Sequence, residues 1–207
     1  LHGSSAASDV YKRQILYASN VDEQDSYIKA AESKGYKVLL LDSPIVPHLI
    51  QKLESKKENI SFARVDSDSI DNLIKKEDNI ISKLDDKEKD MLKTYIEAVI
   101  PKEKYTIQLE ALDSKELPFI ITQPEFMRRM KDMQQSGGNN MFGSMPEIHN
   151  VIINVNNDLV NTIFSSKSKA KRERLIKQSL DLARLSQNLL KGEELTSFIK
   201  RSFDIIK

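Results

Sequence analysis

Cysteine and tryptophan are both absent from the 207 residues. Without cysteine there is no disulfide framework and no thiol chemistry, so stability rests on packing and hydrogen bonding, and a cytoplasmic location is expected. No apolar run approaches the roughly 20 residues that a helix needs to cross a bilayer, so no membrane partner is expected. Neither G-x-G-x-x-G nor a G-K-S/T phosphate loop occurs, which leaves a nucleotide site unsupported. The Asp66/Asp68 and Asp85-Asp86 pairs are not followed by calcium-loop spacing, so they read as linker and helix-cap residues and no metal is expected. His48 and His149 stand apart from each other and from any nucleophile, and an enzyme would need a clustered polar site that the sequence does not offer. An excess of one charge is missing too: 32 Lys and Arg face 31 Asp and Glu. Nucleic-acid binding would need a local basic patch.

Hydrophobic residues make up 39% of the chain and charged residues 30%, enough apolar content for packed cores. The length suits one or two domains. Ser4 to Gln14 reads SSAASDVYKRQ, which matches codon by codon the translation of a transposase sequencing adapter. Residues 1–14 are therefore set aside as non-native, fold reasoning starts at Ile15, and a piece of a longer protein is expected. Removing Asp9, Lys12 and Arg13 with them brings the formal charge from +1 to zero.

From Ile15 the pattern predicts a βαβαβ unit. Ile15–Ser19 reads as a strand, and residues 22–33 as a helix with Tyr27, Ile28 and Ala31 inward and Gly35 as its C-terminal cap. Lys37–Asp42 is continuous in apolar residues, as buried parallel strands are. Pro44–His48 opens a helix with Leu49, Ile50 and Leu53 inward, and Ser61–Asp66 alternates like a half-buried strand. Such an order gives a small parallel sheet covered by helices. Residues 66–90 are rich in Asp, Lys, Ser and Asn and read as a linker, with Ile70, Leu73 and Ile74 forming a short helix within it. The expected domains are residues 15–79, linker included, and 80–207.

The second domain is expected to be mixed α/β, an α+β arrangement overall. A helix runs over 84–100, stopped by Pro101; strands follow over 105–112, 118–122 and 151–156, and Asp158 caps a short helix over 159–164. The chain closes on two helices. Over 168–191, Leu175, Leu182 and Leu189 repeat every seven residues, as do Ile176, Ala183 and Leu190. Gly192 breaks the helix, and the next carries Leu195, Phe198, Ile199, Phe203, Ile205 and Ile206. Two helices this apolar cannot bury both faces on each other. A homodimer is predicted in which Leu175, Ile176, Leu182, Leu189, Leu190, Leu195, Phe198, Ile199, Ile205 and Ile206 form a four-helix bundle with a second copy. The basic run from Lys167 to Arg174 reads as the solvated first turns of the first helix; a nucleic-acid contact is its alternative.

One stretch stands out. Between Pro124 and Pro146 lie five of the six methionines. Phe126, Met127, Met130 and Met133 fall on one face of a helix that Pro124 can open, with Arg128, Arg129, Lys131 and Asp132 on the other. Ser136–Asn140 ends the helix in a Gly/Asn loop carrying Met141, Phe142 and Met145. Pattern alone supports a short core helix. It also fits a pliable apolar grip on other proteins, since unbranched methionine repacks around many partners.

PEFMRRMKDM, the Gly/Asn/Met loop and MPEIHNVIINVNNDLV together resemble the C-terminal portion of the heat-shock-protein-90 chaperone family in its bacterial branch. ILYASNVDEQDSYIKAAESKGYKVLLLDSPIVPHLI resembles the last subdomain of that family's middle domain, and residues from about 80 resemble its dimerisation domain. The resemblance spans Ile15–Lys207. It implies an ATP-driven homodimeric chaperone that binds partly folded clients. The family's ATP and magnesium site lies in an N-terminal domain, so this chain is expected to dimerise and bind clients without a cofactor of its own and without hydrolysing ATP. The family's exposed amphipathic helix maps onto Phe126, Met130 and Met133, with Met127 beside them, which favours the grip over the core reading. Met141, Phe142 and Met145 are added from the loop's composition alone. The acidic C-terminal motif that eukaryotic members present to helical-repeat co-chaperones is missing, so those partners are not expected.

Overall fold

The computed structural model describes residues 13–73, 80–130 and 148–206. Residues 1–12, Ile74, Met133, Met141, Phe142 and Met145 lie outside the described residues.

The chain opens with β1 (Arg13–Ala18), α1 (Asp25–Ser33), β2 (Leu39–Leu40), α2 (Val46–Lys56) and β3 (Ile60–Arg64). The three strands are parallel in the order β2-β1-β3. Pairing begins at Arg13 opposite Ile60 and Gln14 opposite Ser61, two residues before the expected strand, because a ladder is built from backbone groups and accepts any exposed side chain. Alternation along β1 fills both faces. Leu16 and Ala18 pack with Tyr27 and Ala31 of α1, whereas Tyr17 packs with Val46 and Ile50 of α2 and Phe62 of β3. Helix α1 ends as predicted at Gly35, whose φ of +82° needs no Cβ. The Gly35 and Tyr36 amides donate to Glu32 and Ala31 carbonyls at 2.9 and 3.1 Å.

Two expectations fail here. The run 37–42 was read as a buried strand, but β2 is a two-residue edge strand with Leu39 and Leu40 exposed. The centre of the sheet belongs to β1, so the run is divided: Val38 packs on the α1 side and Leu41 on the α2 side. Leu49, expected inward, is exposed, while Val46 and Ile50 are the buried residues of α2.

The segment read as a linker starts as packed structure. Ile70 and Leu73 of α3 (Ile70–Leu73) are buried against β1 and α1. Ser69 and Asn72 donate to Glu110 at 3.3 and 2.9 Å, which ties the segment to the second sheet.

That sheet is built from β4 (Tyr105–Glu110), β5 (Phe119–Thr122) and β6 (His149–Asn154) in the order β4-β6-β5, with β6 parallel to β4 and antiparallel to β5. Ile121, Val151 and Ile153 meet Leu92 and Ile96 of α4 (Asp86–Glu97), Val160 and Ile163 of α6 (Asp158–Ser165), and Ile176, Leu180 and Ala183 of α7 (Lys169–Ser186). Helix α4 starts on a reciprocal capping box: Asp85 accepts from the Glu88 amide at 2.8 Å and Glu88 from the Asp85 amide at 2.9 Å. The cap of α6 is Asn157, one residue before the expected Asp158. Between β5 and β6 the described helical residues 125–130 form α5.

The NVNND run explains why its residues are so particular. Asn154 is fully buried; its carbonyl oxygen accepts from the amides of Leu112 and Asn156 at 3.2 and 3.1 Å, and its amide donates to the Asp113 carbonyl at 2.7 Å. Asn156 donates to the carbonyls of Ile81 and Leu112, both at 3.1 Å, and accepts from the Lys83 amide at 2.8 Å. Side-chain amides thus stand in for a strand where three segments meet.

Helix α7 stops earlier than predicted. Asn188, at φ +55°, ends it, with Asn188 and Leu189 amides donating back to Leu185 and Arg184 carbonyls at 3.1 and 2.9 Å. Asparagine tolerates this left-handed turn almost as glycine does. Gly192 instead opens α8 (Gly192–Ile206). Leu189 and Leu190 therefore lie beyond the helix, and the heptad row does not continue through them.

Candidate functional site

Two surfaces carry the residues singled out from the sequence. The first is α5. Phe126 is 71% exposed, and Met127 and Met130 beside it are partly covered. The arginines, placed by the sequence on the face opposite the apolar stripe, turn into the protein. Arg128 is buried, its guanidinium donating to the Tyr17 hydroxyl and to Glu125 and lying 5.6 Å from the Tyr17 ring centre. Arg129 reaches Glu54 of α2 through two nitrogens at 2.7 and 3.1 Å, Glu125 at 2.8 Å and the Phe62 carbonyl at 2.7 Å. A planar fork with fixed donors satisfies all three at once, which an ammonium could not. Glu54 raises the Arg129 pKa further, first by this hydrogen bond. Burial, then the Glu125 carboxylate, pushes the Tyr17 phenol up to about 12, so it stays protonated.

This clasp also covers one of the two edges of the first sheet. On β3, the outer strand, Phe62 donates its amide to Glu54 at 2.7 Å and gives its carbonyl to Arg129, while the Arg64 amide meets Glu125 at 3.4 Å. The sequence signal was available: Glu125 precedes Arg128 and Arg129 at the i+3 and i+4 spacings that bring such pairs together on a helix. A further bond joins the two units, from the buried Tyr27 hydroxyl to the Ile121 carbonyl at 2.6 Å.

The second surface is the outer side of α7 and α8. The ten residues assigned to it divide three ways. Ile176, Leu190 and Phe198 are buried within the chain. Ile176 packs against the second sheet, so its side chain is already used. Leu175, Leu189 and Leu195 are half-buried. Leu182, Ile199, Ile205 and Ile206 are exposed. Leu185 and Phe203, which were not assigned, are exposed as well, Phe203 to 63%. Leu195, Ile199, Phe203 and Ile206 recur at helical spacing along the outer face of α8.

A polar network fixes α8 against α7. Asp181, buried despite its charge, accepts from Arg184 at 3.0 Å and from Arg201 of α8; Arg184 also reaches Glu194, and Gln178 donates to Ser202 at 2.8 Å. Arg184 holds the Glu194 carboxyl below its usual 4.5, chiefly by this hydrogen bond, with burial opposing. A depressed folded-state pKa contributes stability that is present above 4.5 and is lost as the pH falls through the lowered value. In urea titrations between pH 7 and 3, Glu194→Gln is expected to lose less stability on acidification than the parent. Equal slopes would assign the acid sensitivity elsewhere.

In the basic run, Arg172 is stacked 3.7 Å over the Tyr95 ring and donates to the Ser166 carbonyl at 3.0 Å, so it serves the fold. Lys167, Lys169, Lys171 and Arg174 are exposed. Among the described residues no cluster of His, Cys, Asp or Glu could hold a metal ion, and no helix is long and apolar enough to cross a membrane.

No protein-family model matches the chain. Curated relatives do. The chaperone protein HtpG of Bacteroides fragilis strain 638R is 31% identical, over 92% of this chain and 38% of its own length. HtpG of Bacteroides thetaiotaomicron is 32% identical with the same coverage, and HtpG of Porphyromonas gingivalis strain W83 is 37% identical over 86% of this chain and 26% of its own length. The chain thus spans well under half the length of the relatives it matches, and the match lies in their C-terminal part. By sequence the chain is a homologue of the C-terminal part of the HtpG chaperones.

Proposed function

We propose that this chain grips partly folded client proteins through α5 and pairs with a second copy through α7 and α8, as the client-handling part of an ATP-driven cytoplasmic chaperone. The observation that carries the reading is Phe126: a large aromatic held 71% exposed by a helix whose opposite face is locked into the protein. A lone exposed aromatic is ordinary on a protein surface; what marks an interaction site is a contiguous apolar patch, and Phe126 heads an apolar stripe with Met127 and Met130. Met127 and Met130 adjoin it, and thioethers adapt to varied apolar segments. Met133, Met141 and Phe142 belong to the same proposal by their place in the sequence. ATP and magnesium binding is assigned, from the family resemblance, to parts of the relatives that this chain does not match. The exposed remainder of the basic run gives nucleic acid no comparable support, since its central arginine is already stacked on Tyr95.

Phe126→Ser with Met130→Ser is expected to weaken binding to reduced, carboxymethylated α-lactalbumin, a permanently unfolded probe, about tenfold, equivalent to about 1.4 kcal/mol. The urea midpoint should stay near the parent value, because neither side chain is part of a buried cluster. Fluorescence titration and equilibrium unfolding check the two halves. Loss of several kcal/mol of stability, on the scale of core truncations, would make this face core and end the grip proposal.

A further inference from the structure

Resting on the client-binding reading of α5, we infer that Glu54, Arg128 and Arg129 are positioning residues: the clasp sets the orientation of the Phe126 face, so that client affinity depends on the α2–β3 part of the first unit. Three features support this. Glu54 lies on α2, outside the apolar face of α5, yet it holds Arg129 through both guanidinium nitrogens at 2.7 and 3.1 Å. Arg128 lies over Tyr17 and Arg129 reaches the Phe62 carbonyl, so the helix is gripped through its arginines while Phe126 stays exposed. Both arginines share the Glu125 carboxylate, at the first turn of the same helix. The contacts therefore join β1, α2, β3 and α5 into one ionic cluster.

Such a cluster behaves as a unit rather than as independent pairs. Loss of Glu54 leaves Arg129 held only by Glu125 of its own helix and by the Phe62 carbonyl. The turn then loses its anchor on α2, and Phe126 samples more orientations. A binding face that must be ordered again on each encounter binds more weakly. Coupling is reciprocal, so a client bound at Phe126 favours the clasped arrangement of α2 and β3 by the same factor.

The test exploits the absence of cysteine. A fluorophore on Phe126→Cys in the 207-residue chain reports local mobility by anisotropy decay, in backgrounds with Glu54 intact, Glu54→Gln and Glu54→Ala. Affinity for carboxymethylated α-lactalbumin is measured separately on chains that keep Phe126. The expected result is a graded response. Label mobility rises and affinity falls about fivefold in Glu54→Ala, with Glu54→Gln between, since an amide keeps one acceptor for the guanidinium. Arg129→Lys, which retains the charge but not the fork, should resemble Glu54→Gln, and it replaces Glu54→Ala if that chain does not fold. Unchanged mobility at position 126 overturns the inference whatever the probe does. Raised mobility with unchanged affinity also overturns it, provided that Phe126→Ser does lose affinity. If Phe126→Ser binds the probe as tightly as the parent, the client-binding reading has failed, and the positioning role falls with it.

Discussion

Glutamate at both Ile199 and Phe203 is expected to turn a dimer into a well-folded monomer. Within one chain both side chains are exposed, so substitution there removes little packing and should shift stability by less than about 0.5 kcal/mol each. At a two-fold interface both copies contribute the same patch, so two substitutions per chain place four carboxylates in one apolar seam. Each ion buried without a partner costs several kcal/mol, and obligate interfaces of this kind commonly exceed about 2,000 Å² in total. Sedimentation equilibrium at micromolar concentration decides the matter: parent chain as dimer, variant as monomer with an unaltered urea transition. A variant that still sediments as a dimer places the contact elsewhere. Choosing the pair matters. Leu182→Glu with Leu189→Glu mixes an exposed residue with one packed against the chain's own core, and Ile176→Glu would strike the second sheet directly.

Asn154→Ala is expected to be the most damaging single change. It strands the amides of Leu112 and Asn156 and the carbonyl of Asp113 in a fully buried site. At about 1–3 kcal/mol for each unsatisfied group, partly offset by entering water, a loss of about 4 kcal/mol is expected. For a chain of this size that corresponds to a fall in Tm of roughly 10 °C. Calorimetry would show it, with Asn161→Ala as a control, since Asn161 lies on α6 and bonds mainly within its own turn. A fall of less than 2–3 °C, about 1 kcal/mol, would mean that water replaces the asparagine without penalty.

Local signals were legible where backbone chemistry is local. Gly35 announced its turn, Asp85-Asp86 a helix cap, and Ile15–Tyr17 and Phe62–Ala63 the strands of a parallel unit. What failed was competition between possible partners. The apolar run 37–42 was equally compatible with the centre or the edge of a sheet, and only the order β2-β1-β3 decides that. Heptad spacing over α7 reported that one face is apolar without reporting what covers it. Ile176 is covered by the chain's own sheet, while Leu182 one turn and a half later is left at the surface. For Arg128 and Arg129 the sequence showed only the face opposite the apolar stripe; their burial depends on Tyr17 and Glu54, which come from distant parts of the sequence, together with Glu125 of the same helix. For the apolar stripe of α5 the sequence carried the period, the family resemblance the outward Phe126, and neither the anchor beneath it.

The plugging of β3 by side chains has a consequence for how this protein fails. An outer strand with free amides and carbonyls invites another chain to add to it, the first step toward fibrils. Here the cover is ionic and not hydrogen-bonded sheet, and it can be lifted while β3 keeps its full ladder with β1. Damage at Glu54 would then leave a normally folded molecule with a sticky rim, and its symptom would be slow, salt-sensitive aggregation of native protein rather than a lower melting point. A protein whose relatives are chaperones carries, at the root of the helix that bears Phe126, the guard against its own aggregation.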